Sequence, residues 1–212
     1  MNSPLAADQR AALIEAMLPD VPFDGWSRPA LRAAARRAGM APEEALALFP
    51  RGAADLVAAF SRWADRRMLD RFASLPQGEL RTAERIALAI GLRLDLLEPW
   101  REAVRRAVAV LMLPQNAPLA LRLLYETIDG LWHAVGDNAT DFSFYTKRAS
   151  LAAILSATLL YWLDDRSPGA ADTRAFFERR LAGAARLGAA RHRLAAISSA
   201  LPHPLRLLRP YR

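Results

Sequence analysis

The side chains that most often carry out chemistry in enzymes are sparse in this chain of 212 residues. There is no cysteine, which removes disulfides, thiolate nucleophiles and cysteine metal sites, and the only histidines are His133, His192 and His203. None of the three has a glutamate three residues before it, the spacing that di-iron helical bundles use. Phosphate-cradling glycine loops and dinucleotide fingerprints are also missing. We therefore predict no catalytic centre and no metal site.

Two pairs of carboxylates are the remaining candidates for acid–base or metal chemistry. Asp164 and Asp165 are adjacent, but they have no second acid at a useful distance and no partner motif. We therefore expect them at an exposed helix end. Glu126 and Asp129 share one helix face, a spacing that an ion pair with Arg122 explains equally well.

The most unusual stretch is "DFSFYTKRA" at 141–149, because it precedes the apolar run "SLAAILSATLLYWL" at 150–163. It concentrates an acid, aromatics and cations, and its Lys147 is the only lysine of the chain. The run that follows is apolar on all faces of a helix, so it must be covered all round. A core or dimer partner and a bound apolar ligand between helices are both consistent with that pattern.

Helices are the elements that position these side chains. Alanine, leucine and arginine dominate while glycine and β-branched residues are few, which favours helix throughout. Proline and glycine divide the chain into nine helices, without strand-like alternation or an internal repeat. The predicted helices cover 5–18, Ser27 to Gly39 with Pro29 in the first turn, 42–49, 50–72, 80–100, 101–113, 118–135, 141–164, and 167–188 with Ser167 as cap and Pro168 first. A single all-α unit is predicted.

Residues 27–49 have the layout of a helix-turn-helix, with the turn at "AGM", and resemble the N-terminal module of TetR-type regulators. The second helix argues against DNA, because Glu43 and Glu44 occupy its groove-entering end and alanines and leucines follow. Arginine, lysine, asparagine or glutamine would be needed there to read bases or contact phosphates. The preceding helix offers Arg28, Arg32, Arg36 and Arg37, a set that is typical of a solvated face. We therefore do not expect DNA as a partner.

The basic charge of the chain is concentrated in its tail. Eight of the 29 basic residues follow Glu178 and no acid does, so the first 178 residues carry 21 basic against 22 acidic side chains, a net charge of about −1. In the tail, apolar residues recur at helical spacing and arginines gather away from them, as in a basic amphipathic helix at an anionic membrane surface. Packing of this helix on the body is the alternative. The predicted membrane-binding residues are Leu187, Arg191, Arg193, Leu194, Ile197 and Leu201.

The N-terminal sequence bears on localisation. It carries acids at Asp8 and Glu15, unlike secretory signals or acid-poor transit peptides. No apolar stretch reaches the roughly 18 residues of a spanning helix. We expect a bacterial cytoplasmic protein peripheral to the inner membrane, or a processed organellar form in the mitochondrial matrix.

Residues 117–181 resemble the family of lipid-binding accessory proteins of ubiquinone (coenzyme Q) biosynthesis. The matching marks are Asp129 and Trp132 before "GD", the run "DFxxYTKRA", the run "YWLDDxSPG", and "DT..F..RRL" at the start of the ninth helix. By this resemblance the fold is expected to be a TetR-like helical bundle of about nine or ten helices with a degenerate helix-turn-helix. The expected organisation is a helix-turn-helix module at 1–50, a lipid-binding core at 51–187 and a basic amphipathic segment at 188–212. Homodimerisation through the late helices is expected with it.

The resemblance also implies a function. The chain is expected to bind an isoprenoid quinone or its precursor between the late helices, to meet an anionic membrane, and to assist the di-iron demethoxyubiquinone hydroxylase without catalysing the reaction. The family's partner surface maps onto Asp141, Phe144 and Tyr145, with Phe144 where a tryptophan is usual. Lys147 and Arg148 frame these aromatics with charge, which is typical of a protein interaction patch. The candidate lipid-lining residues are Leu123, Leu124, Ile128, Leu151, Ile154, Leu155, Thr158 and Trp162.

Two other functions stay open at the level of the sequence. A TetR-type ligand-responsive DNA-binding regulator would share the fold and an apolar pocket. A plain helical dimer would need the apolar helix but no ligand. Specific DNA binding would distinguish the regulator from a lipid-binding protein. A purified protein without any bound lipid would indicate the plain helical dimer.

Overall fold

The computed structural model describes residues 4–76, 78–136 and 142–200, with side chains described for 6–76, 78–136, 148–184 and 186. These ranges form ten α-helices, and they contain no strand. The helices are α1 (Pro4–Met17), α2 (Val21–Asp24), α3 (Arg28–Arg37), α4 (Pro42–Leu48), α5 (Ala53–Ala73), α6 (Thr82–Leu97), α7 (Arg101–Leu111), α8 (Ala117–Ala134), α9 (Phe142–Asp164) and α10 (Ala171–Ala200). Short 3₁₀ turns at Glu98–Trp100, Pro114–Asn116 and Pro168–Ala170 join α6 to α7, α7 to α8 and α9 to α10. The all-α prediction is confirmed.

The helix boundaries follow the local sequence signals with three main differences. The segment between α1 and α3, expected to be a loop, contains the one-turn helix α2, where Pro22 supplies the φ angle that a first helical turn needs. The last helix does not begin directly at Ser167, because a 3₁₀ turn intervenes and the Ser167 hydroxyl accepts the N–H of Asp172 at 3.0 Å. Helix α10 then continues to Ala200, so the predicted ninth helix and the predicted amphipathic helix of the tail form one element.

The predicted helix-turn-helix layout is present in α3 and α4. Ser27 caps α3 by accepting the N–H of Ala30 at 3.3 Å. The helix ends at a turn around Gly39, whose φ of 69° is a conformation that favours glycine. The N–H of Met40 donates to the Ala35 carbonyl at 2.9 Å, which satisfies a carbonyl of the last turn in a Schellman motif. Helix α4 starts three residues after this glycine.

Helix α5 lies at the centre of the packing, in contact with α1, α6, α7 and α8. The Phe60 ring on α5 lies between two tryptophans, with its centroid 4.9 Å from Trp26 and 5.8 Å from Trp63. The indole N–H of Trp26 donates to the Ala103 carbonyl of α7 at 3.1 Å, so this buried polar group is satisfied. One apolar cluster includes residues from α1 to α10, which means that the N-terminal module shares its core with the later helices.

A buried polar triad sets the position of α8. Asp65 on α5 accepts the Nε–H of Arg93 on α6 at 3.0 Å and the hydroxyl of Thr127 on α8 at 2.8 Å. The side chains of Asp65 and Arg93 are only 13% and 12% exposed. A charge buried without its partner costs free energy, so the triad favours one packing of α8 on α5 and α6. It thereby fixes the helix that carries Leu123, Leu124 and Ile128.

Candidate functional site

The buried face of α9 is a stripe formed by Leu151, Leu155, Thr158 and Trp162. Their spacing of four, three and four residues places them on one side of the helix, and each exposes 7% or less of its surface. Helix α9 packs against α7, α8 and α10. The Thr158 hydroxyl donates to the Ile154 carbonyl at 2.8 Å, so the polar member of the stripe is satisfied within its own helix.

The predicted lipid-lining residues lie on α8 and α9, and six of the eight expose 7% or less of their surface. On α8, Leu123 and Ile128 are 3% and 1% exposed. Leu124 and Ile154 are half-buried and pack against the same apolar core. Two clefts in the described part of the chain, of about 860 Å³ and about 360 Å³, are lined by other residues. Because most of these side chains are buried and neither cleft reaches them, a lipid among them would require the helices that cover them to move.

Another side of α9 exposes large apolar side chains. Leu160 is 52% and Tyr161 is 41% exposed, although the sequence pattern calls for cover on every face of this helix. The Tyr161 ring stacks on Phe176 of α10 with centroids 4.7 Å apart, and the Arg180 guanidinium lies 4.9 Å from the Phe176 centroid. A single chain thus leaves an apolar strip along α9 and α10 in contact with solvent.

The start of α9 is tied to α8 by an ion pair. Arg148 donates to Asp129 at 3.0 Å, and its side chain is only 10% exposed. This position differs from the predicted one, in which Arg148 frames an exposed patch. The difference arises because the Asp129 carboxylate gives the guanidinium a charge-assisted hydrogen bond that offsets its desolvation. Three other predicted partner-binding residues, Phe144, Tyr145 and Lys147, belong to α9, but their side chains lie outside the described residues. Asp141 lies outside them entirely.

The other end of α9 is held by two residues that the sequence analysis did not single out. The indole N–H of Trp162 donates to Glu98 at 3.0 Å, and the Arg101 guanidinium lies 4.6 Å from the Trp162 ring centroid. Arg101 also donates to the Trp162 backbone carbonyl at 2.8 Å and to both carboxylate oxygens of Glu98 at 2.8 Å. The last carbonyls of a helix lack intrahelical partners, so Arg101 caps α9. The only sequence signal for this cluster was the three-residue spacing of Glu98 and Arg101.

Asp164 and Asp165 differ sharply in environment. Asp164 is exposed as predicted, whereas Asp165 is buried, which corrects the expectation that both lie at an exposed helix end. Asp165 accepts the N–H of Ser167 at 2.7 Å, the N–H of Thr173 at 2.9 Å and the Thr173 hydroxyl at 2.5 Å. Burial raises the pKa of Asp165, but the hydrogen bonds from Ser167 and Thr173 outweigh it and hold that pKa well below its usual range. The "DDxSPG" run therefore builds the turn between α9 and α10.

The chemistry of the helix-turn-helix surface agrees with the sequence pattern. Glu43 and Glu44 are exposed in the first turn of α4, at the end that would enter a DNA groove. On α3, Arg37 pairs with Asp20 of the preceding turn. The surface that reads DNA in helix-turn-helix proteins thus presents two carboxylates at its leading end.

Metal-ligating side chains do not cluster in the described part of the chain. No group of three or more histidine, aspartate or glutamate side chains there is arranged to hold a metal ion. The Nδ1 atom of His133 lies 2.8 Å from the Asp129 carbonyl oxygen and 3.4 Å from the Asp129 carboxylate. The side chains of His192 and His203 lie outside the described residues.

The predicted membrane-binding residues belong to the last part of α10 and the segment after it. The side chains of Leu187, Arg191, Arg193, Leu194 and Ile197, and the whole of Leu201, lie outside the described residues, so their role stays a prediction. Within the described ranges no single helix is long and apolar enough to cross a bilayer. Two consecutive helical segments, Thr82–Leu111 and Pro114–Ala134, reach the length and apolar composition of a membrane span only when they are taken together. They meet at an angle of 95°.

Comparison with protein families places this architecture among known sequences. The COQ9 family model matches residues 117–188, which run from the start of α8 into α10. The chain is 34% identical over 183 residues to the human mitochondrial ubiquinone biosynthesis protein COQ9, covering 83% of this chain and 57% of that protein. The Drosophila melanogaster protein of the same name is 32% identical, with 84% and 56% covered. The chain thus spans a little over half the length of these two relatives.

The chain is also similar to a third COQ9 protein and to a solved structure. The Xenopus laevis protein COQ9-B is 32% identical over 196 residues, which cover 89% of this chain and 67% of that protein. A TetR transcriptional regulator from Nitrosomonas europaea superposes with a TM-score of 0.67 at 24% identity, covering 84% of this chain and 98% of that one. This structural likeness confirms the predicted TetR-like fold and concerns the fold alone. By its sequence, the chain belongs to the COQ9 family.

Proposed function

We propose that this chain is a lipid-binding accessory protein of ubiquinone biosynthesis, and that it presents a quinone precursor to the di-iron demethoxyubiquinone hydroxylase without catalysing the reaction. The observation that carries the proposal is its similarity to ubiquinone biosynthesis proteins over 83% of its length. The family match at residues 117–188 includes the two helices that hold the eight candidate lipid-lining residues.

The proposed lipid site is the contact between α8 and α9. Its side chains are apolar apart from Thr158, whose hydroxyl is already satisfied by its own helix. An isoprenoid tail offers the same kind of surface as the side chains it would displace. Burial of that tail contributes about 25 cal/mol per Å² of apolar area, which offsets both its extraction from a bilayer and the loss of helix–helix contact. The lipid enters when α8 and α9 separate.

The proposed partner site is the start of α9. Asp141, Phe144, Tyr145 and Lys147 supply an acid, two aromatics and a cation in one short segment. The ion pair of Arg148 with Asp129 anchors that segment to α8. Movement of α9 on lipid entry would therefore also move the partner site, so that one helix couples cargo to the hydroxylase.

Membrane contact and dimerisation complete the proposal. The basic segment at 188–212 supplies the charge to meet an anionic bilayer, at the bacterial inner membrane or in the mitochondrial matrix. The relatives are named as mitochondrial proteins. The exposed strip around Leu160 and Tyr161 is the surface that a second copy would cover. Both contacts leave the α8–α9 site within each chain.

Deletion of the gene tests this function. The expected result is a fall in ubiquinone and accumulation of its demethoxy precursor, restored by a plasmid copy of the wild-type gene. A strain that lacks the hydroxylase is the control, because it should accumulate the same precursor. Unchanged ubiquinone in the deletion strain would contradict the proposal.

A further inference from the structure

The corner between α7 and α8 exposes an unusual concentration of large apolar side chains. Met112 and Leu113, at the end of α7, are 75% and 45% exposed. Leu121 and Tyr125, on α8, are 68% and 57% exposed. The last two are four residues apart, so they lie side by side on one helix face. Scattered single apolar residues are ordinary on protein surfaces, but four large exposed ones within the fourteen residues 112–125 indicate a docking surface.

The corner is also free of charge over a long stretch. The fifteen residues 107–121 contain no charged side chain. Arg105 and Arg106 precede this stretch and Arg122 follows it, with their side chains 47%, 40% and 70% exposed. Arg105 and Arg106 pair with Glu102, and Arg122 pairs with Glu126, so the stretch 102–126 holds three arginines against two glutamates and carries a net charge of +1. An uncharged tip bounded by arginines matches the layering of a bilayer surface, where apolar groups enter and cations stay at the phosphates.

The backbone of the corner is already satisfied by internal hydrogen bonds. The N–H groups of Met112 and Asn116 donate to Val108 and Leu113 carbonyls at 2.9 Å and 2.8 Å. The Asn116 side chain donates to the Val110 carbonyl at 2.8 Å. Backbone groups left unpaired would make entry into an apolar medium costly, and these contacts remove part of that cost while holding the corner rigid.

We infer that the α7–α8 corner inserts into the headgroup and upper acyl region of a lipid bilayer, as a membrane contact separate from the C-terminal basic segment. The helical segments Thr82–Leu111 and Pro114–Ala134 meet there at 95°, so the exposed apolar side chains lie on either side of a sharp bend. A protein partner or a second copy of the chain would need a broader apolar surface for docking than these few side chains provide. The inference deepens the membrane association in the proposed function and rests on it.

The absence of cysteine from the chain makes a direct test simple. Met112→Cys in the full-length chain is labelled with an environment-sensitive nitrobenzoxadiazole dye, and Ser74→Cys, at the exposed end of α5, is the matched control. Both proteins are mixed with vesicles of phosphatidylcholine and phosphatidylglycerol, and vesicle binding is measured in parallel by co-sedimentation. The expected result is a blue shift with at least about a two-fold rise in emission for the dye on the Met112→Cys protein, and no change for the dye on the Ser74→Cys protein.

The outcomes separate the inference from the proposed function. If the Met112→Cys protein sediments with vesicles while its dye keeps a water-like emission, the inference is overturned and membrane association still stands. A chain that does not sediment would overturn both. A blue shift that depends on protein concentration without vesicles would mean self-association and would also overturn the inference.

A pair of substitutions gives a second readout. Met112→Glu with Leu121→Glu should lower vesicle binding by about ten-fold, because two exposed apolar side chains no longer enter the bilayer. Leu80→Glu, at an exposed leucine in the loop before α6, should leave binding unchanged. Equal binding by the double variant and the wild type would contradict the inference. Circular dichroism should show unchanged helix content, since all three leucine and methionine side chains are on the surface.

Discussion

Arg148 on α9 donates a hydrogen bond to Asp129 on α8 at 3.0 Å, nineteen positions earlier in the chain. The pair joins the helix that begins with the proposed partner segment to the helix that carries three of the proposed lipid-lining residues. Both residues belong to runs on which the family resemblance was recognised. Their contact shows that part of that resemblance reflects the packing of α8 on α9.

Removal of this ion pair should destabilise the protein. Arg148→Leu leaves Asp129 without its guanidinium partner, and we expect a loss of about 1–3 kcal/mol in the free energy of unfolding, measured by urea denaturation. Arg122→Leu is the matched control, because Arg122 pairs with Glu126 at the surface and such pairs contribute about 0–1 kcal/mol. Equal effects of the two substitutions would contradict a structural role for the Arg148 pair.

The turn between α9 and α10 should depend on Asp165 and not on its neighbour. Asp165→Asn replaces a carboxylate that accepts three hydrogen bonds from Ser167 and Thr173. We expect a loss of about 2–3 kcal/mol in unfolding free energy, because a buried acceptor no longer matches its donors. Asp164→Asn, one residue away and 83% exposed, should change little. If both variants unfolded at the same urea concentration as the wild type, the turn would not depend on this carboxylate.

The contribution of Asp165 should also depend on pH. Its pKa in the folded chain lies below the ordinary value of 3.8, so the unfolded chain binds the proton more readily. The stabilisation is therefore fully present above the unfolded pKa and is lost as pH falls toward the folded pKa. The difference in unfolding free energy between the wild type and Asp165→Asn should be constant near neutral pH and shrink below about pH 4. A difference that grows on acidification would contradict this sign.

Lipid binding should respond to a half-buried position of the proposed site. Ile154→Glu places a carboxylate against the apolar tail and should abolish lipid co-purification, while partial exposure of the position lets the chain fold. Leu155→Glu is less suitable, because Leu155 is only 7% exposed and a buried charge there would destabilise the core. Leu160→Glu, on an exposed part of the same helix, is the control and should keep its lipid. A folded Ile154→Glu protein with its full lipid content would exclude this residue from the site.

DNA binding should be absent despite the TetR-like fold. Glu43 and Glu44 at the start of α4 would repel phosphates and cannot make the base contacts that arginine or glutamine make. A gel-shift experiment with the upstream region of the gene should therefore give no specific complex. A sharp complex that survives competitor DNA would favour the regulator function.

Local signals predicted the helices well because their causes lie close in sequence. Ser27, Gly39 and Pro42 mark boundaries through caps and turns that span five residues or fewer. The environments of Arg148 and Trp162 could not be predicted in this way. Arg148 is buried because of Asp129, and Trp162 is fixed by Glu98, sixty-four positions away.

The candidate site shows the same division between local and long-range causes. The sequence placed Leu151, Leu155 and Trp162 on a helix that is apolar on every side. It could not predict which side of that helix the rest of the chain covers. That depends on the placement of α8, which the buried triad of Asp65, Arg93 and Thr127 helps to fix from three different helices. The predicted pocket residues lie on these two helices and most of them are buried, and their role in lipid binding stays a prediction.

In the proposed function, this chain carries an isoprenoid lipid between α8 and α9. Organic extraction of the purified protein, followed by mass spectrometry, tests it most directly. We expect an isoprenoid quinone or its precursor in stoichiometric amount from the wild type, and its loss from the Ile154→Glu variant. A wild-type protein that is empty, or that releases only detergent, would contradict it.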